Sequence, residues 1–183
     1  KLRPAYPIVL QIVGTLVGLT GGILTLTSSA TRIPGIGLAT GLWTYQTVLH
    51  RRRRWATLAL GTLLLLAQVI LSESDSQRHI WIATGLVFAA TFCIGGTLVR
   101  RTPWRCLSLP ALLWGGAVAL QTLAMILLDN PFAERYWLSI GEMGGLVLLA
   151  CVMSVLWRQP AIGYGAALLF SLTVSLAFFH RSG

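Results

Sequence analysis

The stretch RRRRWATLALGTLLLLAQVILSES, residues 51–74, decides the fold class. Four consecutive arginines are followed by an uncharged run from Trp55 to Ser72, and charge returns at Glu73. A hydrocarbon core of roughly 30 Å needs about 20 helical residues at a rise of 1.5 Å each. The run is therefore long enough to cross a bilayer, with arginines at one edge and an acidic residue at the other.

The composition of the whole sequence agrees with this stretch. Of the 183 residues, 55% are hydrophobic and 10% are charged, and the mean hydropathy is +0.75. A typical soluble domain has about 25% charged residues. Such a chain cannot cover a water-facing surface, and an open sheet would leave backbone groups unpaired in lipid. We therefore predict an all-α, polytopic integral membrane protein with one transmembrane domain over residues 1–183.

Seven apolar stretches alternate with polar ones, and each is close to the roughly 20 residues that a spanning helix needs. The first run, which Lys1 and Arg3 precede, is longer than the roughly 7–15 residues of a signal-peptide core, so we expect a first transmembrane helix there. Pro34, at the start of the short second run, costs no hydrogen bond in a first turn. The seven predicted spans are Tyr6–Thr27, Ile33–Leu49, Trp55–Ser72, Ile80–Val99, Leu107–Leu128, Tyr136–Trp157 and Ala161–Phe179.

The basic residues predict the orientation. With the N-terminus in the cytoplasm, the cytoplasmic side receives Lys1, Arg3, Arg51, Arg52, Arg53, Arg54, Arg100, Arg101, Arg105 and Arg158. The opposite side receives Arg32, Arg78, Arg135 and Arg181. Short loops rich in Lys and Arg stay cytoplasmic. We predict a cytoplasmic N-terminus and an outside C-terminus, in a bacterial-type inner (plasma) membrane or its equivalent.

Two arginine clusters are interpreted as fixing the orientation of the chain in the membrane: Arg51–Arg54, and Arg100, Arg101 and Arg105. They are also expected to contact anionic lipid, with a binding free energy of about 1 kcal/mol per basic residue. A formal charge of +9 and a pI near 10.8 would suggest nucleic acid for a soluble protein. Membrane threading already explains the charge here, and the short loops leave no room for a nucleic-acid-binding module. We predict lipid partners and no nucleic acid.

The two clusters also share a pattern. Residues 51–60 and 100–109 both read R-R-x-x-W-x-x-L-x-L, which indicates either duplicated helical hairpins or a coincidence of composition. Trp55, Trp104 and Trp157 are expected at the inner interface, where tryptophan is enriched.

Glycines at a spacing of four residues predict close helix packing, because glycine lets backbones approach each other in lipid. They form three sets: Gly14, Gly18 and Gly22; Gly37 and Gly41; Gly141 and Gly145. Two interpretations stay open, packing inside the bundle or docking of the first helix on another subunit.

Glu142 is the acidic residue that lies inside a predicted span, about 9 Å from its outer edge by helical rise. A carboxylate at such a depth is costly and usually faces the bundle interior. Gln121, Gln68 and Thr84 are expected in the same outer half. These four residues either hold helices together or form a polar pocket, or proton site, open to the outside.

Catalytic motifs do not emerge from the sequence. No H-E-x-x-H motif or phosphate loop is present, no predicted span contains paired carboxylates, and the last span has no lysine for a retinal Schiff base. We expect no enzyme, no metal and no cofactor beyond bound lipid. His79 and His180, both at the predicted outer face, leave haem or chlorophyll ligation as an alternative. Cys93, Cys106 and Cys151 are expected to act as small hydrophobic residues.

Two functions of different class follow from these features. The first is a non-catalytic subunit or assembly partner of a larger membrane complex, or a self-associating protein, because the loops are short and the spans poor in polar residues. The second is a small transporter or channel that uses the outer polar cluster around Glu142. A permeation path normally needs polar groups through the full depth or a broken helix near the midplane, which favours the first.

Overall fold

The computed structural model describes residues 29–74, 77–128 and 136–181. Helix accounts for 92% of these residues, and none of them forms a strand. The predicted all-α class is therefore confirmed for the described part of the chain. The predicted first span, Tyr6–Thr27, lies outside it.

Six α-helices make up the described residues: α1 Ser29–His50, α2 Arg53–Glu73, α3 Arg78–Val99, α4 Ser108–Leu128, α5 Tyr136–Trp157 and α6 Pro160–Arg181. A short 3₁₀ turn, Arg105–Leu107, precedes α4. The helices overlap the predicted apolar stretches from Ile33 onwards, because charges and prolines interrupt the apolar runs at the same places where helices end.

Four segments are long and apolar enough to cross a membrane: Arg53–Glu73, Arg78–Val99, Arg105–Leu128 and Trp137–Trp157. Helix α1 is not among them, and in α6 the apolar part is the shorter segment Pro160–Ser175. Large apolar side chains cover the outside of these helices, as at Leu120 and Leu168, which are 70% and 72% exposed. Helices of this kind suit a membrane protein, whereas the count of seven and the orientation stay predictions.

The chain divides into two compact units, residues 1–75 and 76–183. In the first unit α1 and α2 form a hairpin around a small core of Trp43, Trp55 and Ala59. The rings of Trp43 and Trp55 stack, with 5.3 Å between centroids and 14° between planes. Helix α1 ends at His50, and the next residue, Arg51, has a φ of 47°, the left-handed conformation that usually selects glycine after a helix.

In the second unit α3 packs along α4, α5 packs on both of them, and α6 packs on α5. The core consists of Ile82, Ile126, Met143 and Leu146, none more than 4% exposed. Between α3 and α4 the contact surface is made of small residues. Gly85, Gly96 and Gly115 lie so close to the facing helix that an added Cβ would be within 3.0 Å of it.

Contacts between its helices define two ends of this unit. Arg78 at the start of α3 reaches the carbonyl of Met125 near the end of α4, and we call this the Arg78 end. Trp157 at the end of α5 donates a hydrogen bond to Thr97 near the end of α3, and we call this the Trp157 end.

Candidate functional site

Glu142 lies on α5 at the Arg78 end and is only 9% exposed. Ser139, one turn earlier, is also buried, and Met143 and Leu146 continue the same face. These positions are three and four residues apart, so they form one side of the helix. That side faces α3 and α4 because its apolar members belong to the core that these helices share.

Two basic residues from the first turn of α3 accompany the acid. Arg78 and His79 are both half-buried, and both interact electrostatically with Glu142. Arg78 also donates through Nη2 to the carbonyl oxygen of Met125. That carbonyl belongs to the last four of α4, which have no partner within the helix, and a cation is favourable there. Glu142, Arg78 and His79, which we call the Glu142 cluster, therefore join three helices.

Directly along the helices from this cluster the interior becomes apolar. Ile82 on α3, Ile126 on α4 and Met143 on α5 are between 0% and 2% exposed. Thr122, one turn before Ile126, is buried too, but its hydroxyl donates to Val118 of its own helix at 2.8 Å. Within the cluster, Arg78 and His79 can balance the charge of the buried Glu142 carboxyl, and Arg78 connects the ends of α3 and α4. The closely packed apolar layer follows directly along the helices.

The polar residues predicted with Glu142 lie in different surroundings. Thr84 is half-buried on α3, Gln121 is exposed on α4, and Gln68 is half-buried on α2 in the first unit. Sequence reasoning missed Arg78 and His79 as partners of the acid, although it placed them on the same predicted outer side. One feature of the sequence could have identified Arg78 and His79 as partners. They form a basic pair directly before the apolar run that begins at Ile80, on the predicted outer side, where Glu142 was also expected.

Arginine and tryptophan meet in both units. The guanidinium of Arg54 lies 5.0 Å from the ring centroid of Trp55 in the first unit. In the second, the guanidinium of Arg100 lies 5.7 Å from the ring centroid of Trp157, whose Nε1 donates to Thr97 Oγ1 at 3.0 Å. In the sequence pattern shared by residues 51–60 and 100–109, Trp104 is the counterpart of Trp55. In the structure, the ring that lies near Arg100 is instead that of Trp157 on α5.

The glycines predicted for packing have varied surroundings. Gly14, Gly18 and Gly22 lie outside the described residues, and an added Cβ at Gly37, Gly41 or Gly141 would meet no described atom within 4 Å. An added Cβ at Gly145 would lie 3.3 Å from Leu86 Cδ1 of α3. The tightest positions, Gly85, Gly96 and Gly115, were not singled out from the sequence. Their signal is the run of small residues spaced by three and four along α4: Ser108, Ala111, Gly115, Val118 and Thr122.

What the sequence indicates about cofactors remains a prediction. His79 belongs to the Glu142 cluster, and the side chain of His180 lies outside the described structure. Within residues 29–74, 77–128 and 136–181, no group of three His, Cys, Asp or Glu side chains is arranged to hold a metal. Cys93 and Cys106 are buried, whereas Cys151 is on the exposed side of α5.

Comparison of the chain with protein-family models, with curated proteins and with solved structures finds no match. The function of the chain is therefore inferred from the geometry of these residues.

Proposed function

We propose that this chain is a non-catalytic, seven-helix membrane subunit that assembles with other membrane protein chains. The observation that supports it is the packed interior of the second unit. Ile82, Ile126 and Met143 fill its centre, and glycine contacts bring α3 and α4 together along their length. An interior of this kind fixes helix positions, so the surface is the part of the second unit left for interaction with other molecules.

Purification in a mild nonionic detergent tests this function. We expect the chain to co-purify with at least one other membrane chain at a stoichiometry that stays fixed through two separation steps, or to form an oligomer of defined mass. Light scattering gives the protein mass in the micelle independently of bound detergent. A homogeneous particle containing one 19.8 kDa chain and no other protein would contradict the proposal.

A transporter is the second candidate, and the Glu142 cluster is the observation that favours it. A buried acid beside two basic side chains at the end of a helix bundle can exchange a proton or an anion with one side of the membrane. The chain would be reconstituted into vesicles and its flux measured across an imposed proton gradient. Flux that Glu142→Gln abolishes would support transport, whereas a variant that leaves flux unchanged would end this candidate as stated.

The proposed orientation, with a cytoplasmic N-terminus and an outside C-terminus, rests on the basic loops. The Trp157 end of the second unit carries Arg100, Arg101, Arg105 and Arg158, and the positive-inside rule therefore supports a cytoplasmic location for it.

Cysteine labelling tests this orientation. Single cysteines at Ser74 and Gln159, in a background whose three native cysteines are replaced by alanine, would be labelled in intact cells with an impermeant maleimide. Labelling at Ser74 and protection at Gln159 are expected. The reverse pattern would overturn the orientation.

A further inference from the structure

Four exposed arginines are concentrated at the Trp157 end of the second unit: Arg100, Arg101, Arg105 and Arg158. They belong to the two links at this end, one between α3 and α4 and one between α5 and α6. Glu142 is the acidic residue that the structure describes in this unit, and it lies about 22 Å away along α5 by helical rise. At that separation Glu142 cannot form an ion pair with any of the four arginines, because an ion pair needs a distance of about 4 Å between nitrogen and oxygen.

The backbone that carries these arginines is held in place. The hydrogen bond from Trp157 to Thr97 joins the ends of α5 and α3, and Arg100 lies over the ring of Trp157. The 3₁₀ turn that contains Arg105 packs on both α3 and α4, and its middle residue, Cys106, is buried. The four cationic groups are therefore attached to fixed turns, which lowers the entropic cost of gathering them around an anion.

The same end is the edge of the apolar surface. The segments apolar enough to span a membrane end at Val99 and Trp157 and begin at Arg105. Tryptophan and arginine at the limit of apolar spans are typical of the headgroup layer. An anion presented at this level by the bilayer itself would face the two links that carry the four arginines.

We propose that the Trp157 end of the second unit is a binding site for the phosphate group of acidic phospholipids. Guanidinium groups match phosphate oxygens in geometry and bind them through paired, charge-assisted hydrogen bonds. Since none of the acidic residues described in this unit pairs with these arginines, their positive charge favours lipids with a net negative headgroup over zwitterionic ones. A free phosphate ion carries the same chemistry, but it lacks the acyl chains that would lie on the apolar surface beside the arginines.

The test uses the full chain in a nonionic detergent, with native mass spectrometry to count bound lipid and the thermal unfolding midpoint to report stabilisation. Phosphatidylglycerol is expected to bind and raise the midpoint, whereas phosphatidylcholine is not. Arg105→Gln and Arg158→Gln are each expected to weaken phosphatidylglycerol binding about fivefold. Arg32→Gln, which removes the same charge from the first unit, is the matched control and should change binding less than twofold.

Two further measurements make the outcome decisive. Trp157→Phe keeps all four charges but loses the hydrogen bond to Thr97, so weaker lipid binding by this variant would support a fixed site. On the wild-type chain, binding should fall steeply as sodium chloride is raised. Equal effects of Arg32→Gln and Arg105→Gln would overturn the site. An equal thermal shift with inorganic phosphate at the same concentration would overturn its assignment to lipid.

Discussion

The two units of this chain hold their helices together through different kinds of side-chain contact. In the first, the large rings of Trp43 and Trp55 stack between α1 and α2. In the second, glycines at positions 85, 96 and 115 bring α3 and α4 close enough for backbone and short side chains to touch. Helices in lipid gain nothing from burying apolar surface, so they associate through close packing and polar contacts. A stacked pair of tryptophan rings between α1 and α2 and glycine contacts between α3 and α4 are two ways of meeting that requirement.

The difference predicts where each unit tolerates added volume. A Cβ at Gly115 would lie 2.7 Å from Cys93 Sγ and 3.0 Å from the backbone nitrogen of Cys93. A Cβ at Gly37 or Gly41 of α1 would meet no described atom within 4 Å. The second unit should therefore be sensitive at single glycines, and the described part of α1 should not.

The largest effect is expected from Gly115→Ala, which should lower the free energy of unfolding by about 2–3 kcal/mol through overpacking against Cys93. Gly116→Ala is the matched control, because a Cβ at this neighbouring position would meet no atom of the described residues within 4 Å and alanine has the higher helix propensity. Gly96→Ala and Gly95→Ala form a second pair with the same expected contrast. Unfolding would be followed by titration with SDS in mixed micelles. If both substitutions of a pair lowered the free energy of unfolding equally, close glycine contacts would not be what holds α3 and α4 together, and the contrast with the first unit would fail.

The second effect concerns Glu142. Glu142→Gln should lower the free energy of unfolding by about 1–2 kcal/mol, because it removes the carboxyl group that interacts electrostatically with the half-buried Arg78 and His79. Glu73→Gln in the first unit removes the same charge at the exposed end of α2 and should change the free energy by less than about 0.5 kcal/mol.

A double-mutant cycle tests whether Glu142 stabilises the protein through its interaction with Arg78 or only through the burial of its own side chain. Adding Arg78→Gln to Glu142→Gln should cost less than the sum of the two single changes, because the pair has already been broken. Additive losses in SDS titration would show that Glu142 and Arg78 do not depend on each other.

The sequence predicted helices well because each one is an apolar run with charged or proline-containing limits. Arg53, Glu73 and Trp157 mark helix ends that composition alone indicates. Partners across the bundle were not predictable in the same way. Glu142 is more than sixty residues from Arg78, and no spacing rule connects them. The choice of Gly85, Gly96 and Gly115 as contact points depends on which helices are neighbours, and a four-residue glycine spacing does not reveal that.

The third effect distinguishes hydrogen bonds between helices from those within one. Thr97→Val removes the acceptor of the Trp157 Nε1 hydrogen bond and should cost about 0.5–1 kcal/mol, in the range measured for interhelical bonds in lipid. Thr47→Val in the first unit is the control, because the buried Thr47 hydroxyl donates to Trp43 of its own helix at 2.8 Å. Its loss should be near zero in the same SDS titration. A larger loss for Thr47→Val would mean that the first unit depends on polar contacts as much as the second.

The smallest effect tests a feature that the two units share. Arg51 and Arg158 follow α1 and α5 with φ values of 47° and 50°, a conformation that costs an L-residue roughly 1–2 kcal/mol. Glycine relieves this strain but loses more chain entropy on folding, so Arg51→Gly and Arg158→Gly should each raise the free energy of unfolding by about 0.5 kcal/mol. Arg52→Gly removes the same charge from the same cluster, but Arg52 has an ordinary extended φ of −101°. It should therefore lower the free energy by a similar amount. Opposite signs for these neighbouring substitutions would show that the arginine is kept at position 51 in spite of backbone strain, as expected where a cation is needed at the headgroup layer. Equal signs would mean that the left-handed turn costs the protein nothing.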